Sequence, residues 1–317
     1  MMEIFRIPLG DWVETFVDWV IDVLGGFFDV ISMIFGGLYD GVEWLFLTPP
    51  FWLVIIVIAA IAWLAKGWKL AVGAIIGLLL IGTVDQWDNA MQTIALTLVA
   101  VIIAVVIAIP IGIWAARSKT VSTIVRPILD FLQTMPAFVY LIPAIFLFGV
   151  GVVPGMVATI LFAIAPGVRL TELGIRGVDQ EVVEAGNAFG AAPGRILRQI
   201  QLPLAMPSIM AGVNQVIMLA LSMAVIASMV GGPGLGKDII QALSRTDIAL
   251  GFEAGLAVVI IAMILDRITS GFGDAQRSRT RRDAASVDET VVVIDAGDLA
   301  DGPANAAGGG YRRPVSG

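Results

Sequence analysis

The chain has 317 residues, of which 58% are hydrophobic and 14% charged, with no Cys and no His. That apolar share exceeds the share in ordinary soluble domains, and the missing Cys and His exclude a disulfide framework and argue against a zinc site. The net charge of −7 sits in a leader: residues 1–48 hold eight acids and one base, Arg6, while the rest of the chain is neutral, so the acidity does not point to cationic partners, and no basic patch points to nucleic acid.

The leader comes first. It lacks a basic start and a small-residue cleavage site, so no cleaved signal peptide is expected. Its polar or small residues fall at 11, 14, 18, 22, 25, 29, 32, 36, 40 and 43, steps of three and four that trace one helical face. Trp12, Phe16, Trp19, Phe27, Ile34 and Leu38 fall on the other. The spacing predicts one or two amphipathic helices over 1–48, with Gly25-Gly26 and Gly36-Gly37 as the places where a break would fall. Such helices lie along a membrane surface, and the expectation is a peripheral extracytoplasmic helix packed on a bundle.

Seven apolar runs follow Pro49-Pro50, at about 50–65, 69–84, 91–115, 132–149, 153–170, 207–230 and 249–268. A helix needs about 20 such residues to cross a bilayer. The chain is therefore expected to be all-α, a polytopic membrane bundle of about seven transmembrane helices. The first two runs form a hairpin over 49–90, and the other five a unit over 91–270. Lys66 and Lys69, then Arg117, Lys119 and Arg126, then Arg169, Arg176, Arg195 and Arg198, then Arg267 and the arginines after it, all fall on one side of such a bundle. Cytoplasmic loops carry this excess of cations. The expectation is a multi-pass cell-membrane protein with its N-terminus outside and its C-terminus inside. Residues 271–317 read as a disordered cytoplasmic tail.

"GGPGLGKD", Gly231 to Asp238, nearly matches a phosphate-binding loop. Such a loop needs Ser or Thr after the Lys, to hold Mg²⁺, and a strand before the first Gly. Here Asp238 follows Lys237, and a membrane span precedes Gly231. The stretch reads as a glycine-rich turn entering a short helix near 236–245, and no ATPase site is expected on this chain.

The segment 178–203 is cytoplasmic in this reading and helical in pattern, broken at Pro193-Gly194. Val182, Val183, Ala185, Ala188 and Phe189 form one apolar face, and Ile196, Leu197, Ile200 and Leu202 a second. Such faces must be buried, either on the bundle's own ends or in a partner's groove. The spacing runs Glu184-Ala185-Gly186, then Gly190, then nine residues to Ile200, then Leu202-Pro203. It resembles the E-A-A-x3-G-x9-I-x-L-P loop of importer permeases of the ATP-binding-cassette class. Gly186 departs from the usual Ala, which loosens the helix by about 1 kcal/mol.

The stretches "LDFLQTMPAFVYLIPAIFLFGVGVVPG" and "QLPLAMPSIMAGVNQVIMLALSMAVIASMVGGPGLG" look like the permeases of glycine betaine/proline betaine importers, a resemblance that covers roughly 91–270. It implies two permease copies in the lipid bilayer, a cytoplasmic ATPase subunit that carries ATP and Mg²⁺, and an extracytoplasmic substrate-binding protein. The permease itself would hold no cofactor. The resemblance also implies that Glu184 to Gly190 dock on the ATPase, with Leu202-Pro203 ending the loop. Glu184 alone would pass for a solvated charge.

No charge falls between Phe131 and Val168, or between Gln199 and Gly236. Proton-driven carriers place ionisable groups within their spans, so a secondary transporter is the less favoured class; a membrane scaffold is a third. A betaine has no net charge and needs no buried counter-ion. Phe138, Tyr140, Phe146 and Phe148 are candidates for lining its path, against the alternative that they only pack or face lipid. Choline, carnitine, proline or another amino acid are alternative solutes.

Overall fold

The computed structural model describes residues 9–271; the first eight residues and the tail expected to be disordered lie outside them. The described residues form helices and no strand: α1 (Leu9–Leu47), α2 (Phe51–Lys66), α3 (Trp68–Thr83), α4 (Trp87–Arg117), α5 (Lys119–Thr134), α6 (Ala137–Phe148), α7 (Val152–Arg176), α8 (Gln180–Ala188), α9 (Pro193–Ile196), α10 (Leu202–Met229), α11 (Leu235–Arg245) and α12 (Ile248–Gly271). Five of them are long and apolar enough to cross a membrane, six if a bent pair counts as one span.

The core is α7 held between α4 and α10. It closes on small residues. A Cβ on Gly167 of α7 would stand 2.9 Å from Ala108 of α4 and 3.0 Å from Val216 of α10. One on Gly174 would stand 2.7 Å from Ser208. Lipid tails are as apolar as Leu, so nothing hydrophobic drives helices together inside a bilayer; close van der Waals approach does, and small residues permit it. The α2–α3 hairpin adds a second apolar cluster, in which Val54, Leu78 and Ile81 meet Ile94 of α4 and Ile261 of α12.

Three elements differ from the sequence expectation. First, α1 is one uninterrupted helix that runs through both glycine pairs. Its second half packs on the core: Phe28 meets Phe148 of α6 edge-on at 5.3 Å, and Tyr39 is buried beside Leu96 of α4. It is also long and apolar enough to cross a membrane. Between residues 23 and 39 its one charge is Asp29, so the acidic face that suggested a surface helix is interrupted there and resumes at Asp40 and Glu43.

Second, the run at 132–149 is not one straight span. The α5 and α6 axes meet at 102°. Met135 precedes Pro136 and takes an extended conformation, ψ 133°. A proline ring excludes the helical conformation from the residue before it, which ends α5 there.

Third, Pro203 does not end a loop. The helix is continuous from Pro193 to Met229, with a π-helical turn at Leu197–Gln201. Pro203 has no N–H to offer the carbonyl four residues back, and its ring crowds that carbonyl. The turn before it widens instead, and the Leu202 N–H reaches five residues back to the Leu197 oxygen.

Candidate functional site

The segment with the family-like spacing lies at one end of the core, beyond the C-terminus of α7. Helix α8 starts at Asp179, whose carboxylate accepts the Glu181 N–H at 2.9 Å. It ends in a Schellman motif. The Ala191 N–H reaches the Gly186 oxygen at 3.2 Å, and the Gly190 N–H reaches the Asn187 oxygen at 2.9 Å. Gly190 sits at φ +76°, where an L side chain is strained, and no atom lies within 4 Å of its would-be Cβ. Its left-handed backbone makes the bend that ends α8.

Gly186 has the opposite reason. A Cβ there would stand 2.9 Å from Cδ1 of Ile200 and 3.6 Å from Cγ1 of Ile196. The departure from Ala and the Ile ten residues after Gly190 are thus one packing feature. Ile200 is half-buried on the π turn, and Leu202 and Val183 pack on a small cluster of Ile175, Val178, Leu197, Ala205 and Ile209.

The two apolar faces therefore meet different fates. The second, with Ile196 and Leu197, is buried in the protein's own helix ends. The first is left mostly in the open: Val183 turns inward onto that cluster, but Phe189 is 92% exposed and Val182 42%, with Ala185 and Ala188 also exposed. Glu184 is exposed beside them and makes no ion pair among the described residues.

Behind α8 lies a junction that the sequence reading missed. Glu172, 4% exposed, takes two donors on one carboxylate oxygen, Ser122 Oγ at 2.7 Å and Arg126 Nη2 at 3.0 Å, and Arg176 Nε forms an ion pair with the same oxygen at 3.1 Å. Arg176 also donates to the Ala115 oxygen at 2.8 Å. One buried acid thus ties α4, α5 and the last turn of α7 together, just before α8. The signal was in "RLTELGIR": an acid with an arginine four residues on shares one helix face with it.

The four candidate path aromatics do not converge. Phe138 and Phe146 are exposed on the outside of α6. Tyr140 is buried, with its hydroxyl donating to the Leu132 oxygen and its ring edge-on to Phe162 at 5.9 Å. Phe148 is taken by Phe28 of α1.

At the other end of the core, the glycine-rich turn enters α11, one residue before the expected start. The Leu235 N–H donates to Thr93 Oγ1 at 2.9 Å, and Ser228 Oγ to the Pro233 oxygen at 2.6 Å. A Cβ on Gly236 would fall 1.9 Å from the Val225 oxygen. Asp238 accepts Gln86 Nε2 at 2.9 Å and Asn89 Nδ2 at 2.8 Å. The turn is packed against α4 and α10, with the Leu235 amide committed to α4 and Gly236 pressed on the α10 backbone, so it does not form an open phosphate cradle. A polar cavity of about 660 Å³ opens beside it, lined by Tyr39, Glu43, Gln92 and Lys237 among others.

A close-packed helix bundle, with a short exposed helix at one end and a polar cavity at the other, is the build of a membrane transport component. Comparison with known proteins makes this specific: residues 108–282 match the family described as the binding-protein-dependent transport system inner membrane component, and the chain belongs to that family. It is 48% identical to a glycine betaine/carnitine transport permease protein of Listeria monocytogenes, over 88% of this chain and all of that one. It is 46% identical to a glycine betaine/proline betaine transport system permease protein of Escherichia coli, over 87% of this chain and 78% of that one. Among solved structures, an inward-facing methionine ABC transporter superposes with a TM-score of 0.55 at 20% identity, over 60% of this chain and 95% of that one, which supports the fold.

Proposed function

We propose that this chain is the translocating subunit of an ATP-driven importer for a betaine-like solute, with α8 as its contact to a separate ATPase. The observation that carries the reading is the divided fate of the two apolar faces. The face on α9 and the π turn is buried in the protein itself, while the face of Val182, Ala185 and Phe189 lies open beside Glu184. A helix with an open apolar face and a neighbouring charge suits a groove on another protein.

In this reading α8 is cytoplasmic, which puts the glycine-rich turn and the polar cavity outside. ATP and Mg²⁺ bind to the ATPase and not to this chain. Closure of paired ATPases moves α8, and α7 and α10 carry the movement across the membrane as rigid bodies. An extracytoplasmic binding protein delivers solute to the outer end. Two copies of the chain enclose the path. Phe138 and Phe146, exposed on α6, are the aromatics left for it, and such faces attract a quaternary ammonium by about 0.5–2 kcal/mol. Tyr140 and Phe148 serve packing.

Glycine betaine leads the substrate list because it appears in the names of the similar permeases, and carnitine and proline betaine follow for the same reason. The test is uptake of labelled glycine betaine in cells lacking betaine uptake, with the chain expressed alone, with its neighbouring ATPase, and with ATPase and binding protein together. Uptake that needs all three is expected. Uptake by the chain alone would revive a secondary carrier, and would sink the role given to α8.

A further inference from the structure

A cavity of about 510 Å³ lies between the α2–α3 hairpin and the core. Its floor is aliphatic and buried, built from Val54 of α2, Leu78 of α3, Ile94 of α4 and Ile261 of α12. Its rim is aliphatic and exposed, with Leu53, Val57 and Ile61 on α2 and Leu98 on α4. Two hydroxyls line it, and neither is free. Thr97 Oγ1 donates to the Thr93 oxygen at 2.7 Å, and Thr269 Oγ1 to the Leu265 oxygen at 2.8 Å. A polar solute would find no partner on these walls, and water there would lose hydrogen bonds.

The rim opens onto an exposed apolar surface. On α2, Ile56, Trp63 and Leu64 are exposed around it, and on α4, Ile102 and Val106. In a bilayer such surfaces meet hydrocarbon, so the molecules at the mouth are acyl chains. The dimensions agree. The lining residues of α2 and its entry run from Pro49 to Ile61, a rise of about 18 Å. Half of a bilayer's hydrocarbon core is about 15 Å deep. An empty space of this size would forfeit the dispersion contacts of every wall atom.

We propose that this cavity is a phospholipid site, in which one acyl chain enters between α2 and α4 and lies against α12. The chain fills the gap that the hairpin leaves on the core, so the lipid completes the packing of α2 where side chains do not. The site is separate from α8 and stands or falls independently of the solute carried.

The test uses the full-length chain in membranes and a phosphatidylglycerol with a diazirine on one acyl chain. After illumination, label is expected on α2, α4 and α12 residues of the cavity wall. The chain is then purified in detergent, and phospholipid retained per chain is read by native mass spectrometry. Val57→Trp with Leu98→Trp, which fills the cavity from its rim, is expected to lose label and retained lipid several-fold. Leu64→Trp, on the same helix but outside the cavity, is expected to lose neither. Equal retention by wild type and the filled variant, or label spread evenly over exposed apolar residues such as Leu64 and Val106, overturns the proposal. If the double variant does not assemble, Val57→Phe alone gives the same reading with a smaller bulk.

Discussion

Helices α7 and α8 follow one another directly and are built on opposite rules. Along α7, large stretches are buried, and glycine and alanine set how near α4 and α10 come. Along α8 no residue is buried, and its largest side chain within reach, Phe189, stands almost wholly in the open. Small residues mark surfaces whose partner is in the same chain and at a fixed distance. Large apolar residues left exposed outside the membrane-spanning helices mark a surface whose partner is elsewhere.

Substitutions along the two helices sharpen that contrast. The largest effect belongs to Gly167→Leu, which forces a branched side chain between Ala108 and Val216. Overpacking costs about 1–3 kcal/mol, and here it strains two crossings at once, so the expected outcome is a severe loss of folded chain, read as yield of monodisperse protein in detergent. Next is Glu184→Lys. Since Glu184 is exposed and makes no ion pair among the described residues, yield and melting temperature should match wild type while uptake with ATPase and binding protein disappears; normal uptake would break the contrast at its centre.

Glu172→Gln ranks third. Removing the acid leaves Arg126 and Arg176 without their partner, yet both reach water, so the cost is about 2 kcal/mol and not the larger penalty of a fully buried pair. A lower melting temperature with uptake reduced but present is the expected result. The smallest effects fall on the two glycines at and just past the end of α8. Gly190→Ala should cost about 1 kcal/mol, because its backbone is left-handed. Gly186→Ala gains about as much helix propensity as the shift of Ile200 takes away, so uptake and melting should both stay near wild type. A large loss at Gly186 alone would mean that α8 and the π turn are coupled more tightly than side-chain contact requires.

The all-α membrane architecture was legible because uncharged runs near 20 residues have few other uses. The short helix after the glycine-rich turn was legible too, from glycine chemistry and the polar residues that follow. What escaped notice depends on partners far apart in the chain. Glu172 carries no signal beyond its spacing from Arg176 until Ser122 and Arg126 are brought to it from α5. Tyr140 reads like its neighbours Phe138 and Phe146 until the 102° bend brings the Leu132 carbonyl to its hydroxyl. Pro203 reads as the end of a loop because proline favours the first turn of a helix; a wider turn upstream lets the helix already begun at Pro193 run through it. In α8, spacing located the segment, but it could not tell which of two apolar faces the protein covers itself.

The helix that runs unbroken from Pro193 to Met229 is a beam about 55 Å long that joins the α8 end of the molecule to the glycine-rich turn. It is clamped along its length and not at one point, since Gly174 meets Ser208, Gly167 meets Val216 and Gly155 meets Ala227. Under the proposed coupling at α8, a displacement there would pass to the far end with α7 and α10 moving together, and the π turn and Pro207 are the places where the beam can flex.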